Sequence, residues 1–201
     1  MTISEKMQAQ GGKPSGFLGR LIGNLMNFFH RRIYDWGLES LTLKADFTCL
    51  DVGCGGGGVV KILAEKANMG KTCGLDHSAE MVRLSCRQNK TLIARGLVKI
   101  KQGTVSVLPY PDKYFDLITA FETIQFWPDL KNDLLELKRV LKPTGKVLII
   151  NRYPPENSKW ADFLQLKNAG QYEKQLNLAG FSSITLDTES KKGWIKVIAM
   201  G

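Results

Sequence analysis

A mostly parallel α/β sheet is the fold class that this sequence of 201 residues predicts. Short apolar runs alternate with amphipathic stretches from residue 44 onward, and this order is typical of parallel strands joined by crossover helices. Near the C-terminal end, two strand-like runs lie too close together for a crossover and can pair only in the antiparallel sense. We therefore expect a doubly wound, seven-stranded sheet with one antiparallel strand near its edge, preceded by N-terminal helices.

The first part of the chain is expected to form a cap on the domain. Residues 1–16 are polar and contain several glycines, so they are predicted to be a disordered tail. In residues 17–29 the apolar side chains recur at helical spacing. This segment is predicted to be an amphipathic helix that packs on the domain, closes over a ligand as a lid, or touches a membrane surface. With a short helix over 30–43, it forms the N-terminal helical cap (17–43) of a single domain, 17–201.

The predicted cofactor-binding core covers residues 44–150. Its strands are expected at 47–51, 71–75, 98–101, 115–120 and 145–150, and its helices at 57–68, 78–91 and 130–141. Ser78 is the residue type that caps a helix. Pro143 and Gly145 indicate the turn from the last of these helices into the last strand.

Residues 151–201 are predicted to form a cap loop and a C-terminal hairpin. The loop is 151–160, which contains two prolines. Short helices are expected near 159–167 and 171–180, and the paired strands at 183–187 and 194–199.

Composition argues against several classes of protein. The apolar fraction of 43% and the charged fraction of 23% are ordinary for a globular domain, and no run approaches the roughly 18 apolar residues of a membrane span. No signal peptide is recognisable, so we expect a cytoplasmic protein. Four cysteines without CxxC spacing and two histidines argue against a zinc site. The net charge of +9 is spread along the chain without a basic block, which disfavours a nucleic-acid partner.

The stretch TCLDVGCGGGGVV carries the first functional signal. Gly53, Gly55 and Gly58 match G-x-G-x-x-G, a pattern that suggests a dinucleotide site, and Asp76 follows the second strand where a carboxylate would accept from ribose hydroxyls. Both features fit NAD. Asp51, however, would repel a pyrophosphate, whereas it would attract the ammonium and sulfonium groups of S-adenosylmethionine. The pair of carboxylates therefore favours S-adenosylmethionine as the cofactor.

Four segments resemble motifs of the class I S-adenosylmethionine-dependent methyltransferases. They are LDVGCGGG at 50–57, GLDHSAEMV at 74–82, LPYPDKYFDLITAFETIQFWPD at 108–129 and LKRVLKPTGKVLI at 137–149. They occur in family order and are similar to the small bacterial type that includes the ubiquinone/menaquinone-biosynthesis methyltransferases. MNFFHRRIYDWGL at 26–38 also resembles the segment before the first motif in one bacterial subgroup. The resemblance implies a Rossmann-like sheet that binds S-adenosylmethionine.

The resemblance also implies which residues contact the cofactor. The methionine end would be lined by Asp51, Gly53, Cys54 and Gly55, and the ribose would be held by Asp76. The adenine would be flanked by His77 and Met81, with Gly103 and Thr104 at its edge and Ala120 at the end of the fourth strand. At Thr104 the sequence departs from the family, because many relatives carry an aspartate there.

Methyl transfer from a sulfonium is a displacement that requires mainly alignment, and a general base only if the nucleophile arrives protonated. Glu122 is the candidate catalytic carboxylate, either as a base or as a group that orients an ammonium; alternatively it is an exposed or salt-bridged loop residue. The candidate contacts of the methyl acceptor are His30, Tyr34, Phe126, Trp127, Arg152 and Tyr153. An aromatic pocket of modest size favours a small-molecule acceptor.

Two alternatives to a methyltransferase remain open. A non-catalytic module that binds the cofactor is consistent with Thr104 and with the lack of an obvious base. An NAD(P)-dependent oxidoreductase is less favoured, because no Tyr-x-x-x-Lys pair or similar hydride-transfer acid is recognisable.

Overall fold

The structure, a computed structural model, describes residues 31–154, 158 and 161–201. These contain the strands β1 (Thr48–Val52), β2 (Lys71–Asp76), β3 (Val98–Gln102), β4 (Phe115–Phe121), β5 (Leu141–Arg152), β6 (Ser182–Glu189) and β7 (Trp194–Met200). The helices are α1 (Arg31–Glu39), α2 (Gly58–Lys66), α3 (Ala79–Gln88), α4 (Lys90–Ala94), α5 (Leu130–Val140) and α6 (Ala169–Leu178), with 3-10 turns at Ile124–Phe126 and Ala161–Phe163. The predicted tail 1–16, the predicted helix 17–29 and His30 lie outside the described residues.

All seven strands form one sheet in the order β3-β2-β1-β4-β5-β7-β6. Strands β1 to β5 run parallel to one another, and β7 is antiparallel to both of its neighbours, β5 and β6. The fold class predicted from the sequence is therefore confirmed, including the antiparallel strand next to one edge. The strand order reverses direction between β1 and β4, and in such sheets ligands bind at this switch point, outside the carboxyl ends of the strands.

Both faces of the sheet are covered, because the residues of each central strand alternate between two buried clusters. Leu50 and Ile118 face a cluster that includes residues of α5 and α6, while Cys49 and Leu117 face one that includes residues of α1 and α2. Strands buried on both sides explain the nearly continuous apolar runs from which they were predicted. Among the described residues, no helix has the length and apolar character that crossing a membrane requires.

Two helix predictions were wrong. The predicted helix over 78–91 is interrupted at Asn89, whose side-chain amide donates to the carbonyls of Gly57 (3.1 Å) and Ser85 (3.0 Å). Asn89 therefore separates α3 from α4 and ties the end of α3 to the glycine stretch. In the predicted helix over 159–167, the described residues form only the turn Ala161–Phe163, and the side-chain amide of Gln165 donates to the carbonyl of Ile124 (3.2 Å).

Candidate cofactor and acceptor site

The glycine loop turns the chain away from the carboxyl end of β1. The backbone N–H groups of Gly53 and Cys54 both donate to the carbonyl of Leu75, at 2.8 and 3.0 Å, so the loop lies across the end of β2. Gly53 and Gly55 have φ values of +71° and +48°, which glycine adopts without strain. A Cβ atom at Gly53 would lie 2.2 Å from Oγ1 of Thr123, whereas one at Gly55 would meet nothing within 4 Å. The loop is thus packed on one side and open at Gly55, where a ligand can approach the backbone.

Asp76 fixes this loop from the end of β2. Its Oδ2 accepts from the N–H of Gly55 (2.9 Å), and its Oδ1 accepts from the N–H of Ser78 (2.8 Å). Burial raises the pKa of Asp76, and these two backbone donors oppose the rise. Because each carboxylate oxygen can accept more than one hydrogen bond, Asp76 can hold the loop and still receive ribose hydroxyls.

Asp51 is a second buried carboxylate, close to the end of β1. Only 2% of the residue is exposed, and its Oδ1 accepts a hydrogen bond of 2.6 Å from the hydroxyl of Thr119 on β4. Burial raises the pKa of Asp51 to about 7; the Thr119 hydroxyl opposes this rise, and the negative charge of Asp76 adds to it. A cationic group bound nearby would favour the ionised carboxylate. A positively charged ligand bound next to Asp51 would therefore be stabilised by the ionised carboxylate.

The residues predicted to surround the adenine lie beyond Asp76. His77 is partly exposed, with Nδ1 3.7 Å from Oδ1 of Asp76, and its carbonyl accepts from the side-chain amide of Gln102. The N–H of Gly103 donates to the carbonyl of Asp76 (3.0 Å), while Thr104 is exposed. The ends of β2 and β3 therefore bring His77, Gly103 and Thr104 to one edge of the sheet, next to the carboxylate predicted to hold the ribose.

Besides the two aspartates, three of the predicted cofactor residues have buried side chains. Cys54, Met81 and Ala120 are 6%, 3% and 0% exposed, and the thiol of Cys54 lies 3.9 Å from Oγ of Ser85 in a cluster with Val60. Cys54 and Ala120 can therefore offer a ligand mainly their backbone. Their roles, like those of the other candidate residues, stay predictions.

Glu122 directly follows β4 and is held in a strained conformation. Its φ is +54°, its N–H donates to the carbonyl of Ile150 (2.7 Å), and its carboxylate forms an ion pair with Arg152 of β5. The Glu122 side chain is 8% exposed, whereas half of the Arg152 side chain is exposed. Glu122 was predicted to be a functional carboxylate or an exposed or salt-bridged loop residue, and the structure shows that it is salt-bridged. Arg152 comes from the predicted acceptor region and lies beside Glu122.

Helix α1 brings Tyr34 to the same edge. Its ring meets Phe121 edge to face, with the centroids 5.3 Å apart. Burial raises the pKa of the Tyr34 hydroxyl, and the negative charges of Asp51 and Glu122 raise it further. Helix α1 of the N-terminal cap therefore places the Tyr34 hydroxyl near Asp51 and Glu122. Its predicted contact with the methyl acceptor stays a prediction.

The aromatic residues after β4 have different environments. Phe126 is 45% exposed and available to a ligand, whereas Trp127 is buried and its indole N–H donates to Oγ1 of Thr123 (3.3 Å). Tyr153 is half-buried after β5 and donates from its backbone to Gly193. Trp127 and Tyr153 thus contribute to packing, and Phe126 is the more accessible of the predicted acceptor contacts.

Sequence reasoning missed the two threonines of the site. Thr119 lies in an apolar strand run, and its pairing with Asp51 depends on the register between β1 and β4. A hydroxyl between the apolar residues Ile118 and Ala120 was the signal that could have identified it. Thr123 packs on Gly53, and no sequence feature distinguishes it from an ordinary loop residue. In the described part of the chain, no group of three His, Cys, Asp or Glu side chains is placed to hold a metal ion.

Comparison with known proteins agrees with this geometry. A family model described as a methyltransferase domain matches residues 50–149. Demethylmenaquinone methyltransferase of Lactobacillus johnsonii is 34% identical over 120 residues, which cover 59% of this chain and 49% of that protein. 2-Phytyl-1,4-naphtoquinone methyltransferase of Trichormus variabilis is 28% identical over 137 residues, which cover 68% of this chain and 60% of that protein.

A solved structure is similar over most of the chain. The SAM-dependent methyltransferase from Aquifex aeolicus superposes with a TM-score of 0.70 at 25% identity, covering 83% of this chain and 88% of that one. The chain spans only about half to three fifths of the length of the curated relatives above. The matched segment contains the glycine loop, Asp51 and Asp76. Residues 50–149 therefore form a domain of the S-adenosylmethionine-dependent methyltransferase family.

Proposed function

We propose that the protein transfers a methyl group from S-adenosylmethionine to a small-molecule acceptor. The observation that carries this proposal is the pair of buried carboxylates, Asp51 and Asp76, beside a glycine loop that is open at Gly55. A ligand with a ribose and a cationic amino-acid end matches both carboxylates. A pyrophosphate would instead place negative charge against Asp51.

The residues of the chain bind and align rather than react covalently. Asp76 receives the ribose hydroxyls, and ionised Asp51 attracts the positive charge at the methionine end. When bound, S-adenosylmethionine supplies an electrophilic methyl group that needs no further activation. The contribution of the protein is to hold an acceptor atom behind that methyl group, in line for the displacement.

The acceptor that we propose is aromatic and quinol-like. This part of the proposal is supported by the names of the relatives, which act on a demethylmenaquinone and on a phytyl-naphthoquinone. The ring of Tyr34 packs edge to face on Phe121, and Phe126 exposes its ring on the turn after β4, so this region of the chain offers aromatic contacts. Glu122 is ion-paired with Arg152, and we assign it an orienting role rather than proton transfer. A cytoplasmic location and a membrane contact through residues 17–29 stay predictions from the sequence.

A turnover assay tests the proposal. The protein is incubated with S-adenosylmethionine and a chemically reduced demethylnaphthoquinol, and both S-adenosylhomocysteine release and the gain of one methyl group are followed by mass spectrometry. We expect both products in equal amounts, and a marked loss of both with Asp76→Ala. If S-adenosylhomocysteine binds but no acceptor of this class is methylated, the quinol-like acceptor is wrong and the non-catalytic module becomes the better description.

A further inference from the structure

A cavity of about 330 Å³ lies beside the edge strand β3, away from the glycine loop. Its lining comes from the beginning of β2, from β3 and from the segment before β4, and it includes neither Asp51 nor Asp76. A cavity of this size is within the range of small-molecule sites in proteins. The described chain thus offers a second concave surface that the proposed methyl transfer does not use.

Three lysines converge on this cavity. Lys71, Lys99 and Lys101 line it together with Cys73, which is paired in register with Lys99. Side chains two residues apart on a strand share one face, so Lys71 and Cys73 project to the same side of β2. Burial raises the pKa of the Cys73 thiol, while the contact with Tyr110 and the positive charges of all three lysines lower it. The positive charges of the three lysines are therefore all close enough to Cys73 to influence its thiol.

This positive charge is not balanced by the protein itself. No carboxylate lines the cavity, and none of the three lysines takes part in an ion pair among the residues that the structure describes. The acidic residues nearest in sequence to the tyrosines of the lining are engaged elsewhere: Asp112 lies 2.7 Å from the guanidinium of Arg139, and Asp116 lies 2.8 Å from the ammonium of Lys142. Converging like charges repel one another unless an anion lies between them.

Two tyrosines form an aromatic wall in the lining of the cavity. The rings of Tyr110 and Tyr114 are nearly parallel, with an angle of 7° between their planes and 6.4 Å between their centroids. The ammonium of Lys101 lies 4.9 Å from the centroid of Tyr110 and donates to the carbonyl of Pro109 at 3.3 Å. Lys101 is thus held against the aromatic wall, while Lys71 and Lys99 are exposed at the mouth.

We propose that this cavity binds a small anionic molecule with a ring or other apolar body, such as an aromatic phosphate or carboxylate. The anionic group faces Lys71, Lys99 and Lys101, and the apolar body lies against the two tyrosines. A concave site whose lining combines lysines with aromatic rings suits a compact ligand. A nucleic-acid backbone would instead require positive charge along an extended surface.

Calorimetric titration with phenyl phosphate tests this proposal, with inorganic phosphate and phenol as partial probes. We expect saturable binding of phenyl phosphate that is stronger than that of either fragment. The double variant Lys71→Met/Lys99→Met should weaken it at least about tenfold, which corresponds to about 1.4 kcal/mol. The control Lys174→Met removes an exposed lysine on α6 and should leave the affinity unchanged. Equal affinity in the double variant and in the control, or no saturation with phenyl phosphate, would overturn the proposal.

A measurement on the unaltered chain makes the test independent of any variant. Acetylation of lysines by a water-soluble reagent is compared with and without phenyl phosphate and located by mass spectrometry. Protection of Lys71, Lys99 and Lys101, but not of Lys174, supports the site, and unchanged acetylation of all four contradicts it. Titration of S-adenosylhomocysteine on the same variants reports separately on the cofactor site, which the substitutions should not affect.

Discussion

Asp51 is expected to destabilise the ligand-free protein at neutral pH. Its pKa rises from 3.8 to about 7 on folding because the carboxyl group is buried. Since one pKa unit corresponds to about 1.36 kcal/mol, ionised Asp51 is roughly 4 kcal/mol less favourable in the folded chain than in the unfolded one. The folded state holds the proton more tightly, so the free energy of unfolding is highest below about pH 4, falls as the pH rises to about 7, and then levels off.

Asp51→Asn should remove this pH dependence. Asparagine has the same shape and can still accept from Thr119 through Oδ1, but it carries no charge to bury. The variant should therefore match the wild type near pH 4 and exceed it by up to about 4 kcal/mol at pH 8. The same variant should bind S-adenosylhomocysteine more weakly by roughly 1.5–3 kcal/mol, the range for a lost hydrogen bond to a charged group.

Urea denaturation at pH 4.5 and pH 8, without cofactor, measures the difference. Asp162→Asn is the matched control, because the Asp162 side chain is 79% exposed and its neutralisation should change little at either pH. If wild type and Asp51→Asn show parallel stability curves across this pH range, Asp51 ionises as an ordinary carboxyl group and the reasoning about its burial is refuted.

Two further predictions concern the loop and the end of β4. Gly55→Ala should lower the affinity for S-adenosylhomocysteine at least about tenfold, because the added methyl group enters the open side of the loop. Gly57→Ala should mainly lower the urea midpoint, because its Cβ would lie 2.4 Å from Oγ of Ser85. The reverse pattern in titration and urea unfolding would contradict the placement of the ligand. Arg152→Met should destabilise the protein by roughly 1–2 kcal/mol, because it removes the positive charge that is paired with the mostly buried Glu122. Adding Glu122→Gln should recover most of that loss in urea unfolding, and no recovery would show that the pair contributes little.

The core of the fold was predictable because its strands are buried on both sides. Strand β1 begins and ends within one residue of its predicted bounds, since its apolar run is bounded by polar and glycine residues. The helix predicted at 159–167 was wrong beyond the turn Ala161–Phe163. The amide of Gln165 donates to the carbonyls of Ile124 and Trp127, and periodicity cannot reveal contacts between residues so distant in sequence. Asn89 likewise reads as an ordinary helical residue until its contact with Gly57 is known.

The two carboxylates of the cofactor site could be identified from the sequence because each lies at the carboxyl end of a predicted strand: Asp51 ends the first strand, and Asp76 comes directly after the second. Their partners could not. Thr119 is 68 residues from Asp51 and meets it only through the pairing of β1 with β4. The cavity beside β3 could not be predicted for the same reason. In the sequence, Lys71 and Lys99 look like unrelated surface charges, and only the pairing of β2 with β3 brings them together.

A crystal structure with S-adenosylhomocysteine bound would show directly which groups of the chain contact the cofactor. We expect the ribose hydroxyls within hydrogen-bonding distance of Asp76, the sulfur beside the open face of Gly55, and the amino group on the side of Asp51. Density for the ligand at any other place, or a nicotinamide dinucleotide bound at this loop in preference to it, would show that the two carboxylates do not bind S-adenosylmethionine.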